Sequence, residues 1–166
     1  DPHRLLPAII ALHDRIRATV IAAFETQHRD AQDRIPQDRN PQDRNPLAAV
    51  AHDDKGDTIY AVDRVSESVL VDGLTEIARE EPLCLLAEGL PAQGVPLPIG
   101  TRDENCRWRL LVDPIDGTRG LMYQKRPAWV LTGLAPNNGP HTRLRDIVLA
   151  VQTEIPLLKQ HLCDQL

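Results

Sequence analysis

Proline stands at positions 36, 41 and 46, each time closing a five-residue unit: Gln32-Asp33-Arg34-Ile35-Pro36, then Gln37-Asp38-Arg39-Asn40-Pro41, then Gln42-Asp43-Arg44-Asn45-Pro46. A period of five matches neither the helical period of about 3.6 nor the strand period of about 2. Proline at every fifth position also blocks regular backbone hydrogen bonding. There is almost nothing apolar here to bury, so residues 30–46 are expected to form an exposed, mobile loop that grew by duplication. A charged docking segment is the alternative. Either way the loop divides the chain, and the segments on its two sides must each find regular structure.

The leading segment reads as an amphipathic helix. Ile9, Leu12, Ile16, Val20 and Phe24 recur at steps of three and four and share one face, while Arg15, Arg17 and Glu25 fall elsewhere. Pro2 suits a helix start. After Asp57 the pattern changes. Thr58 to Val62 is a short β-favouring run ending at Asp63, and a helix is expected next, with Asp63 near its start and Val65, Val69, Leu70, Leu74 and Ile77 inward. Leu83 to Ala87 is an apolar run ending at Glu88, followed by a loop rich in Pro and Gly from Gly89 to Gly100. Trp108 to Val112, ending at Asp113, Trp129 to Leu134, and Ile147 to Val151 read as further strands, and Pro156 to Leu166 as a short helix or a frayed end. Helices and strands mix without regular βαβ alternation, so the expectation is an α+β layered domain rather than a doubly wound one.

Composition narrows the function. The 166 residues suit one domain or one and a fraction. Aromatics make up only 3%, so aliphatic side chains must fill the core. The net charge of −5 comes without a basic stripe, and a nucleic-acid partner is not expected. An acidic protein that handles an anionic substrate normally needs a metal to invert the local charge. Cys84, Cys106 and Cys163 are far apart, odd in number and without zinc spacing, which reads as reduced thiols in a cytoplasmic protein. No apolar run approaches the roughly 20 residues of a membrane span, and no signal-peptide pattern opens the chain. The start at Asp1 rather than Met points to trimming or an incomplete reading frame.

The strongest chemical signal is Asp113-Pro114-Ile115-Asp116-Gly117-Thr118. Two carboxylates this close at a strand end repel each other unless a cation sits between them. Ligands that are all oxygen suit magnesium. Gly117 allows close backbone approach, and Thr118 opens what reads as a helical turn, whose hydroxyl and backbone N–H groups could hold a phosphate. The competing reading is an ordinary hairpin turn, since Asp-Pro and Asp-Gly are common turn pairs.

The hexapeptide resembles the metal-binding signature of the inositol monophosphatase family, whose relatives include fructose bisphosphatases and 3′(2′),5′-bisphosphate nucleotidases. Asp57-Thr58-Ile59-Tyr60-Ala61-Val62-Asp63 resembles the family's Asp-x-Val-Thr-x-x-Asp segment, and Ala87-Glu88-Gly89 its Gly-Glu-Glu. Asp63, Glu88 and Asp113 follow one another at intervals of 25 residues, near the family's spacing, and Lys55 stands where the family often has a lysine. The resemblance implies a layered α/β sandwich with a largely antiparallel sheet, present here as the N-terminal metal-binding domain over residues 1–166. It implies Mg²⁺ as cofactor. Glu88, Asp113 and the Ile115 carbonyl would hold a first ion, and Asp113 and Asp116 would share a second. It further implies that Asp63 and Thr118 orient a water and that Gly117 and Thr118 N–H groups hold the phosphate.

The sequence also departs from that family. Gly89 replaces the second glutamate of Gly-Glu-Glu. Leu110 holds the place where the family often has tryptophan, with Trp108 two residues earlier. Arg119-Gly120-Leu121 replaces x-Asn-Phe. The Trp-Asp-x-Ala-Ala-Gly type motif of the family's second domain is absent. The leading expectation is therefore the N-terminal part of a phosphatase for an inositol or sugar phosphate. The alternatives are a bisphosphate nucleotidase of the same superfamily and a non-catalytic binding module, and a bare strand edge would invite homodimer formation.

Overall fold

The computed structural model describes residues 1–33, 50–54 and 57–164, with the backbone alone at 30–33, 50–54, 57–61 and 63–65. A 3₁₀ turn at Pro2–Arg4, capped by the Asp1 carboxylate on the His3 N–H, leads into helix α1, Leu6–Asp33. The helix continues through residues 30–33, where the repeat loop is expected to begin, because no proline interrupts its hydrogen bonds before position 36. The rest of the repeat and Lys55 lie outside the described residues.

Strands β1 (Val50–Asp54) and β2 (Asp57–Tyr60) form an antiparallel pair, with His52 opposite Ile59 and Asp54 opposite Asp57. Helix α2 follows at once, Ala61–Glu80, so Asp63 is its third residue rather than its cap. The remaining elements are β3 (Leu83–Ala87), β4 (Val95–Leu97), β5 (Trp108–Asp116), α3 (Thr118–Met122), β6 (Ala128–Pro136), β7 (Leu149–Ile155) and α4 (Leu158–Cys163). Strand β4 falls inside the expected loop. It pairs antiparallel with β3 although Pro96 can donate no ladder hydrogen bond, a position that an edge strand tolerates.

The main sheet runs β4-β3-β5-β6-β7, with only the β3–β5 pair parallel. The expected α+β layering and largely antiparallel sheet are what the chain adopts. Both long helices pack on one face, α1 over β6 and β7 and α2 over β4 and β5. The apolar stripe of α1 is buried throughout, from Ile9 through Leu12, Ile16 and Val20 to Phe24. It meets Leu83 and Leu85, Trp108, Leu110 and Val112, Val130 and Leu134, and Ile155 in one core. Each such aliphatic side chain contributes about 1.5–3 kcal/mol on burial.

The other face carries the alternate residues. Paired positions share a face, so Cys84, Arg109 and Ala135 form one row; Leu86, Leu111, Gly133 and Ala150 the next; Asp113, Leu131 and Gln152 a third. No α-helix covers these rows among the described residues, a 3₁₀ turn at Leu144–Asp146 lies over part of them, and Leu111 is 42% exposed. A cleft of 290 Å³ opens there between Leu86, Leu111 and the segment Leu144 to Ile147. One end of the face is held by the buried Arg109. Its guanidinium donates to both oxygens of Asp103 at 3.1 and 2.9 Å, to the Asn137 side-chain oxygen at 2.7 Å and to the Gln93 carbonyl at 3.1 Å. Burial pushes the neighbouring Cys84 thiol up to about 11, and raises Cys106 as well, so neither is poised as a nucleophile.

His13 stands inside the α1 stripe and is fully buried. Its Nε2 lies 2.7 Å from the Thr132 hydroxyl on β6 and its Nδ1 lies 3.0 Å from the Thr153 hydroxyl on β7. A neutral imidazole satisfies both contacts, one nitrogen donating and the other accepting. Burial lowers its pKa to about 4 despite the opposing charge of Asp14. The unfolded chain binds this proton near pH 6.5 and the folded chain only near 4, so stability contributed here is present above 6.5 and lost as pH falls between the two. A pH series of urea unfolding should therefore show wild type losing about 3 kcal/mol more than His13→Gln between pH 7 and 4, at 1.36 kcal/mol for each pH unit that separates the two values.

Candidate metal centre

Residues three apart in a regular strand face opposite sides of the sheet. Asp113 and Asp116 do not, because β5 is bulged between them. Asp113 pairs with Leu131 and Asp116 with Trp129, so three steps along β5 match two along β6. The extra residue returns both carboxylates to the face away from the helices. Pro114 sits in the bulge, where its missing N–H costs no ladder hydrogen bond. The strand thus runs to Asp116 rather than stopping at Asp113, as the sequence pattern suggests.

Local bonds fix the turn. One Asp113 carboxylate oxygen accepts the Ile115 N–H at 3.1 Å. The Ile115 side chain is buried, which anchors the bulge to the core. Its carbonyl accepts the Thr118 hydroxyl at 2.8 Å. A carbonyl has two lone pairs, so Ile115 keeps one acceptor position, while the Thr118 oxygen, its proton already donated, can serve other groups only as an acceptor. Gly117 caps α3 with φ +92° and ψ +21°, a left-handed conformation that a side chain disfavours. Its carbonyl accepts Gly120 and Leu121 N–H groups, which folds α3 back at once. Gly117 and Thr118 therefore stand where a short helical turn opens, with first-turn N–H groups that lack intrahelical acceptors.

Glu88 lies in the turn directly after β3. The last parallel pair is Ala87 with Val112, so the next step along each chain sets Glu88 beside Asp113 at the same end of the sheet. Asp113 is half-buried and Glu88 and Asp116 are exposed. Asp63 is in the first turn of α2 by its backbone, and its side chain lies outside the described residues. The fold thus gathers Glu88, Asp113, Ile115, Asp116, Gly117 and Thr118 at one sheet end. Among the described residues no three His, Cys, Asp or Glu side chains converge closely enough to hold an ion. The donor chemistry fits a hard dication all the same: three carboxylates and a carbonyl, all oxygen. The bulge is the part that sequence reasoning missed, and a proline within an otherwise regular apolar strand was its signal.

No sequence profile of a protein family matches the chain, and no curated protein does. Solved structures do. The extragenic suppressor protein SuhB from Bartonella henselae aligns over 90% of this chain and 43% of its own, at 14% identity and a TM-score of 0.55. Fructose-1,6-bisphosphatase from Leishmania major aligns over 92% of this chain and 44% of its own, at 15% identity and a TM-score of 0.61. Both are of the inositol monophosphatase superfamily, and this chain has the fold of that superfamily over the part it spans. It covers less than half the length of either structure.

Ala on the Gly117 backbone would meet Ala128 Cα and the Pro127 carbonyl at 3.7 Å and Ala128 Cβ at 3.9 Å, all ordinary contacts, so any penalty is conformational rather than steric. Gly117→Ala should lower the free energy of unfolding by about 1–2 kcal/mol, the cost of a left-handed residue, as read from urea midpoints.

Proposed function

We propose that this chain is the metal-binding portion of a magnesium-dependent phosphomonoesterase acting on an inositol or sugar phosphate. The observation that carries the reading is the bulge in β5, which turns Asp113 and Asp116 to the same face at the end of the sheet where Glu88 follows β3. The fold neighbours support a hydrolase, since one of them is by name a phosphatase. Glu88, Asp113, the Ile115 carbonyl and Asp116 would hold the magnesium. Bound there, it supplies charge neutralisation at the phosphoryl oxygens and a more acidic water. Thr118, whose oxygen can only accept, would orient that water from one side, and Asp63 from the other. Gly117 and Thr118 N–H groups would bind the phosphate oxygens. A cytoplasmic setting belongs to the same reading, supported by three free thiols.

A second reading has its own support. It is a non-catalytic binding module, which the carboxylates would suit because among the described residues they do not converge on one point. One titration decides between them. Calorimetry with Mg²⁺ should show binding in wild type that weakens at least about tenfold in Asp113→Asn, the loss of one charged ligand being worth 1.4 kcal/mol or more. Release of phosphate from inositol 1-phosphate is followed in the same samples. Binding with turnover supports the enzyme. Absence of binding at millimolar Mg²⁺ leaves the module as the better account.

A further inference from the structure

Residues 119–126, Arg-Gly-Leu-Met-Tyr-Gln-Lys-Arg, hold three cations and no carboxylate in a chain of net charge −5. The fold draws these cations together. The Gly120 carbonyl accepts both the Lys125 N–H at 3.0 Å and the Arg126 N–H at 3.3 Å, so positions 125 and 126 return to within one residue of Arg119. Gln124 makes that reversal possible with φ +51°, and both ends of its amide are used: Nε2 donates to the Leu121 carbonyl at 3.0 Å, and Oε1 accepts the Leu158 N–H at 2.9 Å. The loop is therefore anchored at both α3 and α4. Arg126 lies across Gly120, with its Cβ and Nε at 3.4 and 3.5 Å from where a β-carbon would stand there. The next residues, Pro127 and Ala128, lie 3.7 Å from where a β-carbon on Gly117 would stand. The cationic loop is thus built directly against the Gly117-Thr118 turn.

All three cations are exposed, and none forms an ion pair among the described residues; Arg119 and Asp116 stay apart although only three positions separate them. Lys125 is held by the Tyr123 ring, 5.8 Å from its centroid. Surface cations usually gain little from distant partners. Three of them clustered without a carboxylate repel one another, and an anion relieves that repulsion. The phosphoryl group that reacts would already be neutralised by metal and backbone N–H groups, which leaves the loop cations unused by a simple phosphate monoester.

We infer that Arg119, Lys125 and Arg126 form a second anion subsite, so that this site selects a phosphomonoester carrying a further phosphate or carboxylate group. The inference rests on the phosphatase reading for the first anion only. Arg119 and Arg126 supply planar donors that match phosphate or carboxylate oxygens, and Lys125 supplies a point charge.

The test is calorimetry in EDTA with glucose 1,6-bisphosphate and glucose 1-phosphate as probes. Wild type should bind the bisphosphate about tenfold more tightly, the yield of one or two charge-assisted contacts at an exposed site. The triple variant Arg119→Gln, Lys125→Gln, Arg126→Gln should narrow that ratio to about twofold or less, while a charge-matched control, Arg102→Gln, Arg143→Gln, Arg145→Gln, keeps it. If the triple variant fails to fold, Arg126→Gln alone should narrow the ratio about threefold. Equal affinities in wild type, no binding of either probe, or a ratio unchanged in the variants overturns the subsite. A Mg²⁺ titration of the same proteins, dialysed free of EDTA, reads the other question: a preserved bisphosphate preference without Mg²⁺ binding would sink the phosphatase reading and leave the anion subsite standing.

Discussion

Strand β5 is bonded on both flanks, parallel to β3 and antiparallel to β6, and that double pairing decides where every other part can go. Its first half alternates strictly: Trp108, Leu110 and Val112 enter the core under α2, while Arg109 and Leu111 look the other way. Its second half cannot slide without moving the first, because each rung is fixed by burial on one face. The one irregularity, between Asp113 and Asp116, therefore has a defined effect. It changes which side of the sheet the last carboxylate occupies and leaves the core register untouched.

The two ends of the sheet are held by different physics. At the helix face, His13 ties α1 to β6 and β7 through two threonine hydroxyls, a polar bridge that stays uncharged inside an aliphatic layer. At the far face, Arg109 is charged and buried, and remains tolerable because Asp103, Asn137 and Gln93 together use its donors. Asn137 in turn donates to the Asp103 and Cys106 carbonyls, so the loop preceding β5 and the residue following β6 are locked to one guanidinium. At the acidic end the shape is set by a bulge, a left-handed glycine and a five-residue helix, with the Asp113 carboxylate and the Thr118 hydroxyl each bonded to the Ile115 backbone.

Much of this was legible in the sequence, for reasons that differ by element. The α1 stripe was readable because each of its five apolar positions is buried against one sheet, so burial follows the helical period directly. The strand starting at Leu83 and the one at Trp108 were readable as apolar runs because both sit in the middle of the sheet. Strand β4 was not, since it is three residues long, contains a proline and exists only by pairing with β3. Strand β7 was read as Ile147 to Val151 but runs Leu149–Ile155, because the apolar Ile147 packs beside the open face and the polar residues 152–154 hide the strand's second half. The candidate site was legible as a list of residues, through the Asp-Pro-Ile-Asp-Gly-Thr hexapeptide. Its geometry was not, because a bulge depends on the partner strand: Pro114 marks an irregularity but does not state how many residues of β6 the segment 113–116 will face.

The open face has a thermodynamic consequence for its acidic end. Leu131 shares the row of Asp113 and Leu86 and Leu111 lie in the next, on a surface still in contact with water. Any layer placed over those leucines would remove solvent from beside the carboxylate and make its bare charge more costly. A cation bound there would cancel that cost, so coverage of the leucines and occupancy by metal would each strengthen the other by the same factor. Assembly over that face and metal affinity would then be coupled through one interaction energy.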